Sequence, residues 1–406
     1  MVKVKFSHIK HGYSCNRGGN MKKRVGIITM YYNSINYGGV LQAYALQKFL
    51  ENNDFDAKQI CFKKTGNNKT NSIKMHYKDL GPIKTIGWAI DRISKKVSSK
   101  LANKIINNQE KELYEERLKK FEDFRKKIPH TKKIYDSDNI VETNDLFDIF
   151  CCGSDQIWKP GVVCPEYMLN FVHKNKYKMS YAASISKTNI SEEEIEKMIP
   201  FLFDFNKVSL REKNEKDILK NYVDKKIEWV VDPTLLLEQK DWEKLYIKNL
   251  VKEKYIFCYL LESNSKKYKI IKEFAKINNL KIVTIPFANG TLNLKDRNFG
   301  DIKIANAGPK EFISLIHDAS VVITDSFHAT VFSNIFKKNF FVLEREEATT
   351  MNSRITSLLE ILNMKDRFIN DKDLLTKKIE CNFEKKNNFD KIKKSSIEYL
   401  LSIKEK

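Results

Sequence analysis

Along the chain, short apolar runs alternate with stretches whose apolar residues recur every three or four positions. Lys23–Tyr32 (KRVGIITMYY) is short, apolar and β-branched, the pattern of a strand buried on both faces. Asn33–Gly39 (NSINYGG) reads as a loop. Leu41, Ala45, Leu46, Phe49 and Leu50 then recur at helical spacing, and FDAKQICF (Phe55–Phe62) predicts a second strand. Together these form a βαβ unit. LFDIFCCG, YKMSYAAS, KVSLRE and IEWVVDPTLLL predict further strands, the last ending at Asp232-Pro233. From Tyr255 the alternation is regular. YIFCYLL, KIVTIP, SVVITD and NFFVLE read as strands, separated by the helices SKKYKIIKEFAKINN, GPKEFISLIHDA and SFHATVFSNIF.

Strand and helix in turn imply parallel sheets covered by helices on both faces. A chain of 406 residues exceeds what one core usually serves. The expectation is therefore an α/β protein of two doubly wound domains facing a cleft. The predicted divisions are a tail over 1–20, an N-terminal domain over 21–231, a C-terminal domain over 232–380 and a lysine-rich helix over 381–406. A basic helical insertion is expected at about 80–133. It carries the stripe Ile86, Ile90, Ile93, Val97 and Leu101, with Trp88 near its start, and continues as a highly charged helix.

Composition narrows the function. The net charge of +21 favours anionic partners such as phosphorylated substrates, nucleic acid or acidic lipid. The richness in Lys, Asn and Ile is also what an AT-rich genome produces, so charge alone selects no partner. The basic stripe lacks the aromatic interleaving of an RNA-stacking surface, which argues against nucleic acid. Seven cysteines, an odd number with no CxxC pair, fit a reducing cytoplasm and argue against zinc or a disulfide framework. The first 20 residues lack the apolar core of a signal peptide, so folding is expected to begin near Met21. No run approaches the ~20 apolar residues of a membrane span. A soluble or peripheral protein is expected.

Candidate chemistry sits where strands pass into helices, since ligands of doubly wound sheets bind beyond the carboxyl ends of the strands. In VVITDSFHATVFSNIF, Asp325 or Ser326 is placed to cap a helix, which puts His328 in the first helical turn. Free backbone N–H groups there favour an anion, and a histidine beside it is placed to donate a proton. The alternative is a histidine that only packs. In NYGGVLQ, Gly38 lets the backbone approach a ligand or turn sharply, and Asn36 and Gln42 offer hydrogen bonds. This is not the GxGxxG fingerprint. In CCGSDQIWKPG, Ser154, Asp155 and Gln156 follow an apolar strand, and Trp158 offers a flat face to a sugar ring; a capped helix start with a packed Trp is the other reading. Arg211 at the end of VSLREK suits a carboxylate or phosphate, unless it only pairs with Glu212. P-loop, HExxH and GxSxG motifs are absent.

The segments IITMYYNSINYGGVLQAYALQKFL, FDIFCCGSDQIWKP, YAAS, VSLREK, VVDPTLLL and GPKEFISLIHDASVVITDSFHATVFSNIFKKNFFVL, in this order, resemble the polysaccharide pyruvyl transferase family. NSRITSLLEIL fits as well. The resemblance spans roughly Lys23 to Phe368. It implies two Rossmann-like domains similar to GT-B glycosyltransferases. It also implies transfer of pyruvate from phosphoenolpyruvate to a sugar, as a cyclic ketal, with no metal or nucleotide cofactor. The acceptor is implied to be a saccharide of a cell-surface polymer, often on a lipid carrier, and the location cytoplasmic, with peripheral contact of the basic helix with an anionic membrane as one use of its stripe. His328 matches the family's catalytic-region histidine and Arg211 an arginine on the donor, while the helix start at Ser326 would hold phosphate or carboxylate. Two departures stand out. Some members carry arginine at the position of Ser326, which leaves a second donor cation to Arg345 or Arg354. A glycine is expected at the position of Ser186. A glycosyltransferase of the same fold using a nucleotide sugar is the nearest rival, and a non-catalytic glycan-binding protein a more distant one.

Overall fold

The computed structural model describes residues 22–64, 108–160, 164–187, 189–286, 296, 298–346, 352–380, 383 and 387–405. The predicted tail over 1–20 and the stripe from Ile86 to Leu101 lie outside these residues.

The N-terminal sheet contains β1 (Arg24–Ile28), β2 (Asp56–Gln59), β3 (Ile149–Cys152) and β4 (Tyr177–Ser180), all parallel, in the order β2-β1-β3-β4. Helix α1 (Tyr37–Asn52) joins β1 to β2. β5 (Val208–Leu210) and β6 (Ile227–Trp229) form a parallel pair that touches the β4 segment through single bridges, Met179 to Lys207 and Ala183 to Leu210. β6 stops just before the Asp232-Pro233 step where the sequence predicts its end. Asp232 and Pro233 end it, because proline lacks a ladder donor and Asp232 accepts from the Thr234 amide to start a tight turn.

The second sheet is six-stranded and parallel, in the order β12-β11-β10-β7-β8-β9. Its strands are β7 (Tyr255–Tyr259), β8 (Lys281–Thr284), β9 (Ile302–Lys303), β10 (Val321–Thr324), β11 (Phe340–Leu343) and β12 (Phe368–Ile369). β7, β10 and β11 are buried along their whole length, as expected of strands covered on both faces.

Among the helices, α2 (Asn108–Arg125) is the highly charged helix of the insertion. α3 (Glu192–Phe203) precedes β5, α4 (Lys213–Leu219) connects β5 to β6, and α5 (Gln239–Glu243) falls between β6 and β7 in sequence. α6 (Ser265–Ile277), α7 (Pro309–Asp318), α8 (Phe327–Ile335) and α9 (Asn352–Ile361) belong to the second half. α10 (Asn387–Leu401) returns to the first sheet, where Tyr399 Oη donates to the Ser180 carbonyl at 2.9 Å and Ser396 Oγ accepts from the Val231 amide at 3.0 Å.

The two sheets share one hydrophobic core. Tyr37 of α1 stacks on Phe312 of α7 with ring centroids 4.6 Å apart, and its hydroxyl donates to the Ala307 carbonyl at 2.6 Å. Trp242 packs edge-on to Phe332 at 4.7 Å. These contacts bring the carboxyl ends of the two sheets together. In the first sheet the chain leaves β1 to one side and β3 to the other; in the second, β7 and β10 do the same. Such switch points are where open α/β sheets hold ligands.

Candidate active site

The helix after β1 starts three residues earlier than its apolar spacing suggests. Asn36 is its N-cap, with Oδ1 accepting from the Gly39 amide at 3.0 Å, so Gly38 and Gly39 lie in the first turn of α1 rather than in a loop. Asn36 therefore serves the helix end. Gln42, one turn on, is fully buried and spans the switch point of the first sheet. Its Nε2 donates to Thr29 Oγ1 at 3.1 Å and its Oε1 accepts from the Ser154 amide at 3.1 Å. Ser154 is equally buried; its Oγ lies 3.0 Å from the Ala182 carbonyl and 3.4 Å from Asp232 Oδ2, so it also reaches the charged cluster around Asp232. These polar residues satisfy buried backbone, as buried polar groups must.

Trp158 corrects an expectation. It is fully buried, donates Nε1 to the Tyr167 carbonyl at 3.1 Å and meets Phe205 edge-on at 5.9 Å. It is a core residue and presents no face to a sugar. An aromatic after a strand carries no sequence signal for which side it packs on.

Beyond these supports, charged side chains from both halves converge. Arg211, at the end of β5, is buried among three carboxylates: Nε is 2.9 Å from Glu212 Oε1, and Nη1 is 3.0 Å from Asp232 Oδ2 and 3.7 Å from Asp155 Oδ1. Burial alone would weaken its hold on the proton; Glu212, Asp232 and Asp155 outweigh this and keep it firmly charged. From the other half, Phe327 lies over the guanidinium, its ring centroid 4.4 Å from Cζ. The neighbouring His328 places Nε2 3.6 Å from the same Asp232 Oδ2. Asp232 Oδ1 accepts from the Thr234 amide at 3.0 Å and hydroxyl at 2.7 Å. Burial would raise the Asp232 carboxyl, but His328 and Arg211 hold it well below the usual carboxylate range. His328 Nε2 and Arg211 Nη2 are both buried without a hydrogen-bond partner.

The sequence placed His328 in the first turn of α8, and it is there, with Ser326 as N-cap. The Ser326 side chain makes no capping bond, and its amide donates to Thr324 Oγ1 at 3.0 Å. Asp325 turns the other way. It accepts from the Leu261 and Glu262 amides at 2.7 and 2.9 Å, closing the β7–β10 switch point. Arg345, beyond β11, anchors on Asp325, with Nε 3.3 Å from Oδ2 and Nη2 donating to its carbonyl at 2.6 Å. Asn352 exchanges bonds with the Arg345 backbone at 3.2 Å in both directions, which sets the start of α9 beside it. Arg354 follows two residues later and is buried. Gln156, its amide oxygen turned to Arg354, accepts from Nη2 at 2.8 Å.

Of the residues singled out in the sequence, His328, Arg211, Asp155 and Gln156 thus meet in one place, with Ser326 at its edge. Asp232 was not singled out, and Glu212 entered only as a possible partner of Arg211, which it is. The acidic residue before Pro233 and the one after Arg211 were the available signals. Among the described residues no group of three or more His, Cys, Asp or Glu side chains is placed to hold a metal ion.

The polysaccharide pyruvyl transferase profile matches residues 36–347, most of the chain. The chain belongs to the polysaccharide pyruvyl transferase family. The converging side chains lie within or just beyond the matched segment, Arg354 being seven residues past it. Solved structures resemble the transferase in fold. The UDP-GlcNAc 2-epimerase from Methanocaldococcus jannaschii is 14% identical over 94% of this chain and 99% of that one, with a TM-score of 0.51. A putative UDP-N-acetylglucosamine 2-epimerase from Listeria monocytogenes is 12% identical over 94% and 95%, with a TM-score of 0.46. The fold is accordingly two Rossmann-like domains about a cleft, the GT-B-like arrangement. No curated protein matches the transferase in sequence. Among the described residues no helix is long and apolar enough to cross a membrane.

Proposed function

We propose that the enzyme transfers the pyruvyl group of phosphoenolpyruvate to two hydroxyls of a sugar in a cell-surface polysaccharide or its lipid-linked precursor, forming a ketal. The observation that carries this reading is the pair of unpartnered buried nitrogens, His328 Nε2 and Arg211 Nη2, brought by opposite domains to one carboxylate, Asp232. A buried donor without a partner is costly, and a ligand oxygen relieves it.

In this reading Arg211 takes a donor oxygen and His328 gives a proton to the donor methylene. That makes the methyl group and leaves an oxocarbenium-like carbon. A sugar hydroxyl attacks this carbon and loses its proton. Phosphate departs with its bridging oxygen, and the second hydroxyl closes the ketal. Of the two hydroxyl protons, one replaces the methyl proton drawn from His328 and the other leaves on phosphate. Asp232, with Oδ2 3.6 Å from Nε2, holds the His328 ring in place.

The test is incubation with phosphoenolpyruvate carrying labelled carbon, together with the cell-surface glycan and lipid-linked saccharide fractions of the source cells. Label in the glycan with an equal release of phosphate supports the reading. Transfer from a nucleotide sugar, with none from phosphoenolpyruvate, overturns it.

A further inference from the structure

Arg211 is poorly suited to a dianion. Three carboxylates surround it, and only Nη2 is left unpartnered. Enough donor capacity remains for one oxygen, and the nearby negative charge repels a phosphate. A donor bearing both phosphate and carboxylate therefore requires a second cationic site.

Arg354 and Lys159 form one. Arg354 is buried, and among the described residues it has no carboxylate within 4 Å and its Nε has no hydrogen-bond partner. Its one described partner is the neutral amide of Gln156. Gln156 also starts the turn that brings in Lys159, whose amide donates to the Gln156 carbonyl at 3.2 Å. Lys159 is half-buried and likewise has no described acidic partner. Arg345 is held next to Arg354 through Asn352, and it grips the residue preceding the α8 N-cap. The corner thus gathers two cations that, among the described residues, have no carboxylate within 4 Å, near a nine-residue helix whose N-cap side chain makes no capping bond. Burial, then Arg211, only partly offset by Asp155 and Glu212, pushes the Arg354 guanidinium down to about 10, and burial with Arg354 and Arg345 also lowers Lys159. Like charges crowded in this way are relieved by an anion.

We propose that Lys159 and Arg354, with the α8 N-terminus, hold the phosphate of the donor and the free phosphate that follows, while Arg211 serves one oxygen at the other end. The donor's identity rests on the pyruvyl-transfer reading; the anion corner itself does not.

Calorimetric titration of the purified protein with inorganic phosphate, in phosphate-free buffer, tests this. Wild type should bind phosphate. Arg354→Gln and Lys159→Ala should each weaken it about tenfold, the loss of one charge-assisted contact. Arg211→Gln should leave phosphate affinity within about twofold but weaken phosphoenolpyruvate about tenfold. Lys159 is partly exposed, so Lys159→Ala keeps the test decisive if Arg354→Gln fails to fold. Absence of phosphate binding in wild type, unchanged affinity in Lys159→Ala, or equal loss in Arg211→Gln would overturn the corner. Phosphate binding lost as predicted, with no binding of phosphoenolpyruvate, would uphold the corner and sink the donor reading.

Discussion

Gly38 and His328 share one space across the two domains: a Cβ on Gly38 would lie 1.9 Å from His328 Nδ1 and 2.5 Å from Cε1. The imidazole thus rests on bare backbone of α1 while Nε2 faces Asp232. Alanine in a helix ordinarily gains about 1 kcal/mol over glycine. Here the methyl group must displace the ring, and overpacking of this kind costs about 1–3 kcal/mol. Gly38→Ala should therefore lower Tm rather than raise it, and should shift the His328 ring signals in NMR. A stabilised variant with unshifted signals would contradict this placement.

His328→Ala should abolish transfer while leaving the fold and phosphoenolpyruvate binding largely intact, because the donor's charges are held elsewhere. Labelled transfer and calorimetry on the same preparation separate the two effects. Transfer at the wild-type rate would remove His328 from the chemistry.

Asp232 is the counter-charge for both domains. Asp232→Asn leaves Arg211 and His328 facing a neutral amide, and breaking such a buried network costs about 3–5 kcal/mol. The pH dependence has a definite sign. The folded carboxyl sits well below its usual range, held there against burial by His328 and Arg211. It therefore contributes stability above the unfolded value of about 3.9, and that contribution is lost as pH falls through the folded value. Denaturant titrations should show the gap between wild type and Asp232→Asn closing as pH falls from about 5 to about 2. A gap independent of pH would mean that the charge is not what Asp232 contributes.

Arg354 carries the opposite cost. A buried cation whose hold on the proton is weakened to about 10 destabilises the ligand-free fold while it is charged. Arg354→Met should thus raise Tm without ligand. Added phosphate should raise the Tm of wild type but not that of the variant. If both respond alike to phosphate, the anion binds elsewhere.

Much of this was legible in the chain. The alternation from Tyr255 onward gave the second sheet's central strands, and the strand-to-helix junctions marked where His328, Arg211, Asp155 and Gln156 would meet. Other features were not legible because local pattern does not report tertiary partners. Asn36 and Gln42 looked like ligand contacts but serve a helix end and buried backbone, Ser154 links the Ala182 carbonyl to Asp232, and Trp158 fills the core. The glycines before Val40 read as a loop, although a helix start tolerates them when Asn36 caps it. Arg345 and Arg354 were equivalent candidates in sequence. Only the fold pairs one with Asp325 and leaves the other without a carboxylate within 4 Å among the described residues. The glycine expected at Ser186 also finds its reason. Ser186 has φ +56°, a left-handed conformation that glycine adopts without strain, and its amide donates to Glu215 at 2.7 Å.

The most direct measurement is calorimetric titration of the wild-type protein with phosphoenolpyruvate, alongside UDP- and GDP-sugars. The account predicts that phosphoenolpyruvate binds, that Arg211→Ala weakens it, and that the nucleotide sugars give no heat. Binding of a nucleotide sugar with none of phosphoenolpyruvate would contradict it.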